Sequence, residues 1–117
     1  MLTLYGIPNC NTVKKAMDWL KKNDIDYQFH DYKKKGISEA KLKEWIAQIG
    51  WEKLVNKRGT TWKGLDETLQ ISITNETAAI DLMMSKTSVI KRPLIEADNK
   101  VAALGYDEKE YEDAFYN

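Results

Sequence analysis

The sequence predicts an α/β domain: a mixed sheet of about four strands with flanking helices and a helical insert. Three patterns predict it. Strand, helix and strand follow one another from the first residues, the order of a parallel βαβ unit. Two further strands meet across Asp98-Asn99, the spacing of an antiparallel hairpin. Between these halves lies a long stretch without strand alternation.

The elements follow in order. Leu2 to Ile7 reads as a short buried strand, and Pro8 to Thr12 as a turn. Val13, Ala16, Met17 and Leu20 then fall on one helical stripe, opposite Lys14, Lys15, Asp18 and Lys21, in a helix that ends near Asn23. Tyr27 to Tyr32 is the second strand, and Lys33 to Gly36 reads as a loop. Ser38 caps the next helix, whose apolar face is Leu42, Trp45, Ile46 and Ile49, and Gly50 stands just past its end.

The insert spans residues 51–86, with helical turns around Trp51, Leu54 and Val55 and around Ala79, Ile80 and Met83. Trp62 and Leu65 follow a loop. The thioredoxin-like parts are then residues 1–50 and 87–117 of a single domain. Leu94 to Ala97 and Val101 to Leu104 form the hairpin. The last helix has a full entry signal: Asp107 as N-cap, Glu110 closing a capping box, and Tyr106 stapled to Tyr111. Strand–helix–strand–helix, insert, strand–strand–helix is the thioredoxin topology.

Composition bounds the function. The chain has 117 residues, 43% apolar and 31% charged, which suits one ordinary globular core. Eighteen basic residues balance 18 acidic ones, so no global field draws it to nucleic acid or membrane. Its one cysteine excludes an internal disulfide and fits a reducing compartment. No signal peptide opens it, and no apolar run nears the ~20 residues of a membrane span. Cytoplasm is the expected location.

Cys10 is the residue most suited to chemistry. It stands between the C-terminal end of the first strand and the start of the first helix, where open α/β sheets place their ligands. A helix N-terminus offers free N–H groups and about half a positive charge, both of which favour a thiolate. Lys14, one turn on, adds a positive charge, and Asn9, Asn11 and Thr12 give the cysteine a polar mouth. The backbone N–H groups of Asn11 and Thr12 are the expected thiolate donors.

Spacing removes the alternatives. Val13 stands where a Cys-x-x-Cys pair needs its second thiol, and Ala16 where a phosphatase loop needs arginine. His30, the one histidine, lies in the second strand and reads as a sheet residue. Arginine occurs only at Arg58 and Arg92. Pro93 precedes a strand where a thioredoxin fold carries a cis proline facing its cysteine, which would hold Arg92 beside the thiol. A guanidinium fork there suits an oxyanion or a carboxylate. Lys33, Lys34 and Lys35 lack interleaved aromatics and read as a solvated loop, and no metal cluster or nucleotide motif is present.

The segment Leu4-Tyr5-Gly6-Ile7-Pro8-Asn9-Cys10-Asn11-Thr12-Val13-Lys14-Lys15-Ala16 resembles the opening of the bacterial ArsC/Spx family, particularly its YffB-like branch. Asn56-Lys57-Arg58-Gly59-Thr60, Ile90-Lys91-Arg92-Pro93-Leu94 and Leu104-Gly105-Tyr106-Asp107-Glu108 resemble its later motifs, so the likeness covers nearly the whole chain.

The resemblance implies an arsenate-reductase-like oxidoreductase with Cys10 as nucleophile and Arg58 and Arg92 as two of three family arginines. The third falls near Gly105, where this chain has none. That departure favours a larger thiol partner, glutathione, over arsenate. The implied site is Cys10 with Asn9, Asn11, Thr12, Lys14, Arg58, Arg92 and Pro93. Glutathione is the implied co-substrate and glutaredoxin a further partner. The Spx arm of the family implies an alternative, a regulator that binds an RNA polymerase subunit.

Overall fold

The computed structural model describes residues 1–116. In chain order the elements are β1 (Leu2–Gly6), α1 (Asn11–Lys22), β2 (Tyr27–Asp31), α2 (Tyr32–Lys35), α3 (Glu39–Ile49), α4 (Trp51–Leu54), α5 (Thr60–Lys63), α6 (Glu67–Ser72), α7 (Glu76–Ser85), a 3-10 turn (Thr87–Val89), β3 (Leu94–Ala97), β4 (Lys100–Leu104) and α8 (Glu108–Tyr116). They form two compact units, Met1–Lys35 with Arg92–Asn117, and Gly36–Lys91.

The first unit holds the sheet, in the order β2-β1-β3-β4. β1 runs parallel to β2, with Gly6 opposite Asp31, and antiparallel to β3, with Tyr5 opposite Leu94. β4 closes the sheet antiparallel to β3. This is the mixed four-stranded, thioredoxin-like sheet that the element order predicts. One face buries Leu4, Ile95 and Ala103 against Val13, Ala16, Trp19 and Leu20 of α1 and Tyr111 of α8. Trp19 and Tyr111 meet edge to face at 5.4 Å, a favoured aromatic geometry.

Local chemistry sets the connections. Asp98 and Asn99 both adopt positive φ, which the two-residue hairpin turn requires and which Asp and Asn tolerate. Asp107 accepts the Glu110 N–H at 2.9 Å, and Tyr106 packs on Tyr111 at 5.1 Å, so the N-cap and the staple expected at the entry to α8 both form. The segment after β2 corrects the expectation of a loop. Residues 32–35 wind into a helical turn because the Asp31 carboxylate accepts the Lys33 N–H at 2.8 Å.

The second unit is helical apart from one bridge, Val55 with Ile90. Ser38 caps α3 by accepting the Lys41 N–H at 3.1 Å, and Gly50 ends it at φ 86°. Leu42, Trp45 and Ile46 of α3, Leu54 of α4, Trp62 of α5, and Ala79, Ile80, Leu82 and Met83 of α7 are buried. Trp62 therefore lies on a short helix rather than simply following a loop. No helix among the described residues is long and apolar enough to cross a membrane.

Candidate functional site

β1 ends at Gly6, and four residues later Cys10 is the N-cap of α1, with extended backbone at φ −128° and ψ 122°. Its carbonyl accepts the Lys14 N–H at 3.0 Å, the first bond of the helix. Gly6 makes the tight approach possible. A Cβ there would stand 2.8 Å from Val13 Cγ2, closer than packing tolerates. Val13 is fully buried and pins the first turn of α1 to the sheet.

Cys10 is a free thiol of intermediate exposure. It makes no formed capping hydrogen bond as a thiol. Partial burial pushes it toward the neutral form. The Val13 N–H, the hydrogen bond and charge of Arg92, and the Thr12 N–H pull the other way, and together they set the thiol below its ordinary value. The donors are those of the third and second helical residues, because an N-cap side chain faces them. The Val13 N–H thus acts on the sulfur beside the Thr12 N–H expected from the sequence. Lys14 is exposed, and the positive charge acting on the sulfur is that of Arg92.

The Arg92–Pro93 bond is cis, and Pro93 is buried at the entry to β3. Arg92 is half-buried and reaches Cys10 with both a hydrogen bond and its charge. Asn9, Asn11 and Thr12 are exposed around the thiol. Arg58 belongs to the second unit, where it is exposed and its N–H donates to Asn56 Oδ1 at 3.2 Å. The structure thus brings Cys10, Thr12, Val13 and Arg92 together.

Behind this group lies a polar cluster that the sequence reading passed over. By strand alternation Tyr5, His30, Leu94 and Glu96 share the sheet face opposite Leu4 and Ile95. Tyr5 Oη donates to Glu96 Oε1 at 3.0 Å, and both residues are buried. The Tyr5 ring packs on His30 at 4.7 Å and on Tyr32 at 6.2 Å. Tyr32 is 1% exposed, and its hydroxyl has no hydrogen-bond partner among the described residues. Burial and the nearby Tyr5 hydroxyl push its phenol far up, Arg92 opposes this, and Glu96 adds to it. The available signal was Glu96 itself, an acid in an otherwise apolar strand, and its buried neighbours were needed to read it. No group of three or more His, Cys, Asp or Glu residues among the described residues can hold a metal ion.

Comparison with known proteins places the chain in a family. The family model described as the ArsC family matches residues 5–114. An uncharacterised protein of Haemophilus influenzae is 45% identical over 115 residues, which cover 98% of this chain and 99% of that one. The global transcriptional regulator Spx of Lactiplantibacillus plantarum is 30% identical, covering 94% of this chain and 83% of its own. Among solved structures, a YffB protein superposes with a TM-score of 0.90 at 39% identity, over 97% of this chain and 98% of that one. An arsenate reductase (ArsC) related protein from Brucella melitensis does so with a TM-score of 0.77 at 40% identity, over 99% and 94%.

Proposed function

The chain belongs to the ArsC family, and on that premise we propose that it is a cytoplasmic monothiol oxidoreductase that uses glutathione. The observation that carries this reading is the Cys10 thiol, lowered below its ordinary value by the Val13 N–H, Arg92 and the Thr12 N–H against the effect of burial. A thiolate is the attacking species in disulfide exchange.

The chemistry has two steps. The Cys10 thiolate attacks one sulfur of a disulfide; a new S–S bond forms to Cys10 and the other sulfur leaves as a thiolate. A glutathione thiolate then attacks the substrate sulfur of the mixed disulfide. Cys10 departs as a thiolate, and the substrate leaves as its disulfide with glutathione. An external thiol is required because the chain has no second cysteine. On this reading Arg92 meets a carboxylate of the incoming thiol, and the backbone before Pro93 offers it an edge.

The test is mass spectrometry after incubation with oxidised glutathione at neutral pH, wild type beside Cys10→Ser. One glutathione adduct on the wild type, absent from the variant, is expected. No adduct on either protein refutes the reading.

A second reading, an interaction protein that binds an RNA polymerase subunit, is supported by the Spx relatives. Val13, fully buried, stands where a two-cysteine switch needs its second thiol, so such binding would not depend on an internal disulfide. It predicts a complex that survives Cys10→Ser in a pull-down, and loss of that complex would remove it.

A further inference from the structure

The end of the sheet that carries Cys10 is rich in exposed cations. β1 and β2 are parallel, with Gly6 opposite Asp31, so both leave the sheet at one edge. Cys10 and the first turn of α1, including Lys14, follow β1 there. Lys33, Lys34 and Lys35 follow β2. Arg92 enters β3 at the same edge, since Leu94 pairs with Tyr5. The opposite end carries both signs: Lys21 and Lys22 close α1 beside Asp24 and Asp26, and Lys100 follows Asp98 at the β3–β4 turn.

These four lysines are exposed, and none forms an ion pair among the described residues. Asp31, the acid nearest in sequence to Lys33, Lys34 and Lys35, is buried and accepts the Lys33 backbone N–H, while Asp18, one turn beyond Lys14, is exposed. The first turn of α1 contains no acid at all, although acids are what a helix N-terminus favours. Asp107 and Glu108 follow β4, three strands from β2 in the sheet order. At about 4.8 Å per strand that is roughly 14 Å from the Lys33–Lys35 side of the rim, beyond the Debye length of about 8 Å at physiological salt, although Glu108 shares a pocket with Lys15 and Asp18 of α1. A chain of zero net charge thus keeps a cationic rim beside its thiol.

We propose that this rim, Lys14 with Lys33, Lys34 and Lys35, selects the oxidised substrate: a disulfide carried on an acidic polypeptide segment. The inference rests on the thiol reading of Cys10 and adds the substrate class to it. Two separate elements supply the cations, so an extended chain with carboxylates on both sides of its cystine meets all of them. The exchange itself is unchanged: one thiolate enters, one leaves, and no proton or further oxidant is needed. The rim acts on encounter, by attracting the carboxylates before sulfur meets sulfur.

The experiment compares three probes on the full chain: the disulfide-linked dimer of Glu-Glu-Cys-Glu-Glu, that of Lys-Lys-Cys-Lys-Lys, and neutral 2-hydroxyethyl disulfide. Adduct formation on Cys10 is followed by mass at low salt and at about 0.5 M salt, where the Debye length shrinks to about 4 Å. The acidic dimer should react about tenfold faster than the basic one at low salt, and the preference should collapse at high salt. The triple variant Lys33→Glu, Lys34→Glu, Lys35→Glu should lose the preference while keeping its rate with the neutral probe within about twofold. Equal rates for the two charged dimers, or a preference that survives in the triple variant, overturn the rim's role while reaction with the neutral probe leaves the thiol reading standing. No reaction with any probe overturns both, through the thiol.

Discussion

Tyr5 Oη donates a 3.0 Å hydrogen bond to Glu96 Oε1 in the buried second face of the sheet, joining β1 to β3 by side chains as well as by backbone. Tyr5 stands opposite Leu94, and Glu96 opposite Thr3, so the bond crosses the pair diagonally. A carboxylate taken out of water keeps its charge only when it is bonded. Tyr5→Phe should therefore destabilise the fold by about 1–3 kcal/mol, read as a shifted midpoint in urea. Pairing it with Glu96→Leu should recover part of that loss, since the double variant removes the group left short of a donor.

Tyr32→Phe should behave differently, although Tyr32 is the more deeply buried of the two tyrosines. Its hydroxyl has no partner among the described residues, so deleting it removes a desolvation cost without breaking a bond. The urea midpoint should stay level or rise. A loss comparable to that of Tyr5→Phe would show that the hydroxyl is bonded in solution.

The thiol of Cys10 is set below its ordinary value, so its alkylation rate should reach half-maximum at a lower pH than that of an ordinary cysteine. Arg92→Gln removes one of the opposing influences and leaves burial in place, so the inflection should move upward. The linked stability has a definite sign. A group with a lowered folded-state pKa stabilises the fold above its unfolded value, and that share fades as pH falls through the folded value. An Arg92→Gln profile that overlays the wild type would separate Arg92 from the thiol.

Gly6→Ala forces a Cβ to within 2.8 Å of Val13 Cγ2. Because Val13 supplies a backbone N–H to the thiol, the clash should be felt at the sulfur. Overpacking of this kind costs about 1–3 kcal/mol. The variant should also alkylate more slowly at neutral pH, with its inflection raised, whereas a purely structural effect would lower the urea midpoint and leave the inflection in place.

Tyr111 and Tyr32 both have phenols pushed above their usual value, chiefly by burial. Tyr111 also donates to the Gly105 carbonyl at 2.6 Å, which ties α8 to the end of β4. Groups with raised folded-state values stabilise the fold fully below the unfolded phenol pKa of about 10 and lose that contribution as pH rises beyond it. Thermal stability should be level up to that point and then fall, with these two phenols ionising only as the chain unfolds, as ultraviolet absorbance would record.

Much of this molecule was written in its sequence. Periodicity located α1 and α3, and cap chemistry at Ser38 and Asp107 marked two helix starts, because both depend on residues a few positions apart. The position of Cys10 between strand and helix was legible for the same reason. Tertiary structure alone decided which atoms meet the sulfur. The Val13 and Thr12 N–H groups act on it because cap geometry turns the side chain toward the second and third helical residues. Arg92 arrives from 82 positions along the chain because β3 pairs with β1. The bond from Tyr5 to Glu96, 91 residues apart, and the cationic rim beside Cys10 likewise exist only once strand order puts distant segments at one face or one edge. Sequence patterns carry local preference, whereas the field at a thiol is the sum of groups that folding brings near it.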